Sequence, residues 1–376
     1  MRFKVSHKLN PLAESSLLSR LKSKFNVDSA TIKNGFLVLP SVEDTAHNRT
    51  LIKEIYGICS KLQYECIFEQ TAPTKMHPHA LDQLIERGDI VPLGDQLCSF
   101  QGDFLKVCKS IDVSIQDWGA GLGAVEQDHP VIWPIELLHR INYLRDFPDL
   151  AYFAFGVSAD PMSVKNLKTI IDDEGAITAS KSVLEKSRFA LQNAVCDCCY
   201  YGLQNQNLTQ TSYFTTYNKV VRNERQGLDL LTRLRCFSVR DIMVVGDESQ
   251  CTAALALLRE KIISFIEALR ITCKIETAND PFFGEEAILK SVFQSSLHSK
   301  YEILAAVEPE GPPVAIGSIN RHQTSFTKAF DIRINGEPAV SACIGIGIER
   351  LAMSLFSHFG ADVKRWPSHV IEKLRL

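Results

Sequence analysis

The spacing of apolar and polar positions divides the chain into two stretches of different character. Residues 2–5 alternate as a strand does, and the leucines of 12–25 recur at helical spacing. A second strand is expected over 31–39, a helix over 48–62 and a third strand over 64–69. This β-α-β-α-β order predicts a small α/β domain over residues 1–72. Thr71-Ala-Pro-Thr-Lys-Met-His-Pro-His79 has two prolines and no periodicity, and reads as a linker. The second stretch, 73–376, shows helical patterns at 80–87, 104–118 and 253–269. A short strand over 129–134 leads into an amphipathic helix ending near 143, and 170–190 includes a turn near 172–175. Apolar segments 220–223 and 237–245, joined by an arginine-rich loop, predict an antiparallel hairpin. Four short strands follow, at 300–307, 315–319, 329–334 and 339–344. Asn335-Gly336, the strongest short hairpin signal, lies between the last two. Successive antiparallel strands flanked by helices predict an α+β fold rather than a doubly wound parallel sheet.

Composition narrows this picture. Of 376 residues 45% are hydrophobic and 23% charged, which excludes a disordered or collagenous chain. No apolar run reaches the ~18 residues needed to cross a bilayer. The opening MRFKVSHKLNPL lacks the apolar core of a signal peptide, so a cytoplasmic location is expected. Eleven cysteines, an odd number, then read as thiols or metal ligands in a reducing compartment, not as a disulfide framework. A net charge of −3 argues against holding nucleic acid mainly by phosphate neutralisation. Lys and Arg exceed Asp and Glu only mildly in 1–72, and no basic docking face is evident from sequence.

Two segments carry chemistry. Ser341-Ala-Cys-Ile-Gly-Ile-Gly-Ile-Glu-Arg-Leu351 runs from a strand into a helix, with Gly345 and Gly347 at the junction. Glycines there admit close approach of a backbone or ligand. Arg350 falls in the first helical turn, where helix amides already favour anions. A surface arginine beside a tight strand–helix joint is the plainer alternative for this segment alone. In the hairpin, Arg222 and Glu224 lie on one strand, with Arg233 and Phe237 on the returning one. An arginine fork can bind a phosphate and a carboxylate together, and a phenylalanine can stack on a purine. Taken alone, an arginine-rich hairpin is a solvated face.

Together the two segments resemble motifs 2 and 3 of the class II aminoacyl-tRNA synthetases, R-x-E, loop, R-x-x-x-F and G-x-G-x-E-R. Residues 129–134 are a weaker match to motif 1. Asn279-Asp-Pro-Phe-Phe-Gly284, Lys300-Tyr-Glu302, Ser318-Ile-Asn-Arg-His322, Cys343, His358-Phe-Gly-Ala-Asp362 and Trp366-Pro367 look like the amino acid–carrier protein ligases. These are truncated relatives of the atypical, zinc-dependent seryl-tRNA synthetases. The resemblance is good from about residue 191 onward, looser over 80–190, and absent from the first 72.

The resemblance implies a class II antiparallel sheet flanked by helices, a homodimer, and a catalytic domain over 73–376. It implies zinc held by Cys196, Glu224 and Cys343, with the fourth position open to a substrate amine. Cys196-x-x-Cys199 as a redox pair lacks its usual surroundings. Cys198 and Cys199 read as buried thiols. The implied reaction joins ATP, with Mg²⁺, to a small amino acid as an aminoacyl-adenylate, then passes the acyl group to the phosphopantetheine thiol of a carrier protein. Arg222 would clamp the α-phosphate and the attacking carboxylate, Phe237 would stack the adenine, and Arg350 would hold the γ-phosphate with help from Arg233. A tRNA acceptor is the alternative, disfavoured because the large tRNA-binding domain is missing. A paralogue kept for binding or regulation is the other. Asn223, Arg321 and Asp241 depart from the family's usual residues, Asp241 standing where the family has Glu.

Overall fold

The computed structural model describes residues 1–5, 8–27, 29–166, 184–224, 230, 233–280, 282 and 286–376. The segment 170–190 expected to include a turn lies largely outside them.

The chain opens with β1 (Arg2–Lys4), α1 (Pro11–Phe25), β2 (Thr31–Lys33), β3 (Phe36–Val38) and α2 (Ala46–Cys59). The strands pair antiparallel in the order β1-β3-β2. Leu37, at the centre, packs with Leu17 and Leu21 of α1 and Ile52 and Ile55 of α2 into a separate apolar core. Thr45 caps α2 by accepting a hydrogen bond from Asn48 N at 3.1 Å. The strand expected to finish this unit does form, as β4 (Cys66–Gln70), but it joins a different sheet. The N-terminal members of the first core end at Leu62, and β4 belongs by its pairing to the large sheet. Alternation reports which side of a strand is buried and says nothing of its partner.

Next come α3 (Ala80–Glu86), the hairpin β5 (Ile90–Gly94) and β6 (Leu97–Phe100), α4 (Gly102–Gly121) and β7 (Val125–Gln127). The segment β8 (Ile132–Pro134), α5 (Ile135–Arg140) and α6 (Tyr143–Asp146) follows, broken at Asn142 by a left-handed φ of 59°. Then come β9 (Phe153–Ala154), α7 (Pro161–Asn166), β10 (Phe189–Leu191), α8 (Asp197–Gly202) and β11 (Asn207–Leu208). β8 pairs with β10, which also pairs with β9, in a small sheet of its own.

The main scaffold is built from β12 (Ser212–Val221), β13 (Cys236–Gly246), α9 (Glu248–Leu269), β14 (Cys273–Thr277), α10 (Ala287–Ser296), β15 (Lys300–Ala305) and β16 (Val314–Gln323). After these come α11 (Ser325–Ala329), β17 (Arg333–Ile334), β18 (Glu337–Pro338), β19 (Val340–Gly347), α12 (Ile348–Phe359) and α13 (Ser368–Leu374). Eight strands form one sheet in the order β4-β14-β15-β16-β19-β13-β12-β7, antiparallel except for the β12–β7 pair. The α+β expectation holds. Asn335 and Gly336, both at positive φ (51° and 87°), turn the chain between β17 and β18, one hairpin earlier than the expected partner β19. The strand expected over 329–334 shrinks to two residues because 325–329 is helical.

The central strands are buried on both faces. Ile242, Val244, Ala342, Ile344 and Ile346 meet α9, α4 and α12 on one side. Met243, Val245 and Cys343 meet Tyr200, Cys199 and Phe330 on the other. α9 starts at Asp247, whose carboxylate accepts from Ser249 N and Gln250 N.

Candidate active site

The face of the sheet carrying Met243 and Cys343 holds the chemistry. Register places Cys343 opposite Met243 on β13 and Asn320 on β16, and Gly345 opposite Asp241 and Ser318. Asp241 and Cys343 are therefore diagonal neighbours on one face. Cys196, just before α8, reaches the same point, so Cys196, Asp241 and Cys343 bring three donor atoms within 4.8 Å of one another, all buried. A Cβ at Gly345 would run into the Asp241 carboxylate; the glycine makes room for it.

Hydrogen bonding and charge bind this cluster further. His322 Nε2 lies 3.3 Å from Cys343 Sγ, and Asn320 Nδ2 donates to the same sulfur at 3.6 Å. A hydrogen bond from Cys196 and the neighbouring His322 hold the Cys343 thiol well below its ordinary range, and the same hydrogen bond with burial pushes the Cys196 thiol well above it. Burial pushes the Asp241 carboxyl well up, with the Cys343 sulfur adding to the shift. Asp197 is pushed up to about 7, mainly by burial. The carboxylate and the two sulfurs repel one another when ionised, and a divalent cation would relieve that repulsion. Two thiols and a carboxylate suit a borderline-soft ion such as zinc.

The second cluster surrounds Phe237. The guanidinium of Arg222 lies 5.5 Å from its ring centroid and that of Arg350 5.9 Å. Arg222 Nε donates to Asn193 O at 3.1 Å, and Arg350 Nη1 donates to Ala315 O at 2.8 Å. Arg233 faces Glu224 at 3.7 Å. Burial, then Arg222 and Arg233, pull the Arg350 guanidinium down to about 10, which marks a site short of negative charge. At its base Glu349, 5% exposed, accepts from Ser238 N at 2.7 Å and pairs with Lys219 at 3.0 Å, fixing the start of α12 against the hairpin. Half-buried Lys300 pairs with Asp280 and lies 3.7 Å from Glu302.

Arg222, Arg233, Phe237 and Arg350 are thus brought together, as are Cys196 and Cys343. Glu224 does not join the two sulfurs. Its carboxylate turns to Arg233, and the acid at the sulfurs is Asp241. Sequence reading marked Asp241 only as a departure from a pattern, and gave His322 and Asn320 no role. A usable signal existed: Arg240 and Asp241 adjoin the apolar run Ile242–Val245, and alternation sends them to opposite faces, so each is a buried charge in need of its own partner. Cys198 and Cys199 are not members of the cluster, and all 11 cysteines are free thiols.

No protein-family model matches the chain. It is 29% identical over 244 residues to amino acid–[acyl-carrier-protein] ligase 2 of Bradyrhizobium diazoefficiens, covering 64% of this chain and 71% of the relative. It is 22% identical over 261 residues to the type-2 serine–tRNA ligase of Methanothermobacter thermautotrophicus, covering 67% of this chain and 51% of that one. The fold matches M. kandleri SerRS, in its crystal structure with A. aeolicus tRNASec, with a TM-score of 0.69 at 16% identity. That match covers 99% of this chain and 76% of the other. The scaffold is therefore the class II synthetase sheet. The resemblance to carrier-protein ligases rests on sequence, and that to the seryl-tRNA synthetases on sequence and fold alike.

Proposed function

We propose that this relative of the carrier-protein ligases is an ATP-dependent, AMP-forming ligase that activates a small amino acid and hands it to a carrier protein. One observation carries the reading: Arg222 links the two clusters, its guanidinium 5.5 Å from the Phe237 ring centroid and its Nε donating at 3.1 Å to Asn193 O, three residues before Cys196. An amino acid at the sulfur cluster and a triphosphate among the arginines would then meet at Arg222.

In the first half-reaction the amino acid carboxylate attacks the α-phosphorus of ATP, a mixed anhydride forms, and pyrophosphate leaves. Arg222 orients carboxylate and α-phosphate and offsets the charge that builds on the phosphorus oxygens. Arg350 and Arg233 hold the terminal phosphates, with Mg²⁺ sharing that charge, and Phe237 stacks the adenine. Positioning and fixed positive charge supply the catalysis, so no dedicated base is required. Cys196, Asp241 and Cys343 would hold zinc, whose chemistry is to take a neutral amine as a ligand and so select amino acids. Asn320 and His322 orient the Cys343 sulfur. In the second half-reaction the phosphopantetheine thiol, losing its proton, attacks the acyl carbon and AMP leaves.

The carrier, not tRNA, is the acceptor best supported, because ligases named for an acyl carrier match at higher identity than the tRNA ligases do. A homodimer and a cytoplasmic setting belong to the same reading. The deciding test is amino acid-dependent pyrophosphate exchange, with and without chelator, followed by charging of phosphopantetheinylated carrier against total tRNA. Exchange lost to chelator and restored by zinc is expected. Absence of exchange with every amino acid in zinc-replete protein would sink the enzyme reading.

A further inference from the structure

The N-terminal unit contributes nothing to either cluster, yet it holds a surface of its own. Residues 1–62 carry ten Lys and Arg against five Asp and Glu; with the whole chain at −3, residues 63–376 carry −8. The excess is not spread evenly. In the β1-β3-β2 sheet the register aligns Arg2, Val38 and Thr31 in one row and Lys4, Phe36 and Lys33 in another. The row between them, Phe3, Leu37 and Ile32, turns towards α1 and α2 and packs into the core. Alternation thus sends Arg2, Lys4, Thr31 and Lys33 to the opposite face, where all four are exposed. No acidic residue stands at any of the six positions. The Arg2 guanidinium lies over the Phe36 ring, 4.2 Å from its centroid.

We propose that this open face docks an acidic protein surface, namely that of the carrier which accepts the acyl group. The proposal rests on the acceptor reading above. Charge complementarity is the first support: the remainder of the chain repels an acidic partner, and this face attracts one. The second is the stacked arginine. Because Arg2 covers the Phe36 ring, the face offers a planar fork of N–H donors, which fits carboxylates, rather than a bare ring on which a base would stack. The third is size. Three strands of three residues make a patch roughly 10 Å on a side, too small for lasting association and suited to a partner that must leave after each turnover.

The test uses the full chain and a phosphopantetheinylated carrier, with transfer measured against carrier concentration at low and high salt. The triple variant Arg2→Gln, Lys4→Gln, Lys33→Gln should raise KM for the carrier about tenfold. It should flatten the salt dependence and leave kcat and pyrophosphate exchange unchanged. Retained exchange shows that the variant is folded. Lys53→Gln with Lys61→Gln, exposed elsewhere on the same unit, should leave KM as it was; an equal rise there would overturn the proposal in favour of general charge. An unchanged KM in the triple variant overturns the docking face alone. Loss of single-stranded oligonucleotide binding in that variant, with carrier KM unmoved, overturns it in favour of nucleic acid. A wild-type chain that exchanges pyrophosphate but charges no carrier overturns the acceptor reading and this face with it.

Discussion

The two faces of the central sheet are made from the same strands and do opposite work. On one, Ile242, Val244, Ile344 and Ile346 lie against helices and exclude water. On the other, one residue out of step, Asp241 and Cys343 meet Cys196, and arginines gather round Phe237. A single register therefore fixes both the packing and the site. A slip of one residue would exchange them. The apolar face admits one buried charge, Arg240, already matched by Asp112 at 2.6 Å and Glu126 at 3.0 Å; the other face concentrates charge that awaits ligands or ions.

That contrast can be broken by exchanging loss of activity for loss of stability. The largest effect is expected from Cys343→Ser, which should abolish both zinc content and pyrophosphate exchange; full zinc retention by metal analysis would remove Cys343 from the site. Arg222→Ala or Arg350→Ala should each slow exchange by about 10²–10³ while leaving zinc content intact. The two acids separate next. Asp241→Asn should weaken zinc binding by about 10²-fold, no less than loss of an outer partner does, whereas Glu224→Gln should keep zinc and weaken only ATP binding. Competition with a chromogenic chelator reads both, and zinc loss confined to the Glu224 variant would reverse the assignment. On the packed face, Phe356→Ala should cost about 3–5 kcal/mol of stability by denaturant unfolding. Its ring stacks on Phe104 at 5.6 Å inside the main core. Zinc per folded molecule should not change.

The smallest effect is a pH dependence on that same face. His358 is buried, with Nε2 accepting from Thr272 N at 2.9 Å and Nδ1 2.7 Å from Ser354 O. Burial lowers its affinity for a proton. The unfolded chain binds that proton first, so the contribution is complete above about 6.5, the ordinary histidine value. It is lost as pH falls through the lower folded value. Thermal melts from pH 7 downward should show the decline, and His358→Gln should remove it.

The arginine cluster was legible in sequence because its members come from two local motifs whose spacing survives folding. Arg222, Arg233 and Phe237 sit on one hairpin, and Arg350 follows a glycine-marked junction. The sulfur cluster was half legible. Cys196 and Cys343 are separated by most of the sheet, and the acid that joins them is decided by which strands lie side by side. Glu224 and Asp241 both belong to the hairpin; only the pairing of β13 with β19 selects Asp241. Strand β4 shows the same limit. Its position was plain from alternation, while its partner β14 lies some two hundred residues away. The Asn335-Gly336 turn was found where expected, but the strand after it is β18, too short to have a periodicity.

β4 has a consequence for how the chain can be cut. An outermost strand shields its neighbour's free N–H and C=O groups from other molecules. Trimming the chain before residue 66 leaves β14 covered, and the shortened protein should stay dispersed. Trimming after residue 70 uncovers a whole row of donors and acceptors on β14, an invitation to pair with a second copy edge to edge. The five residues of β4 would separate a well-behaved enzyme core from one that aggregates.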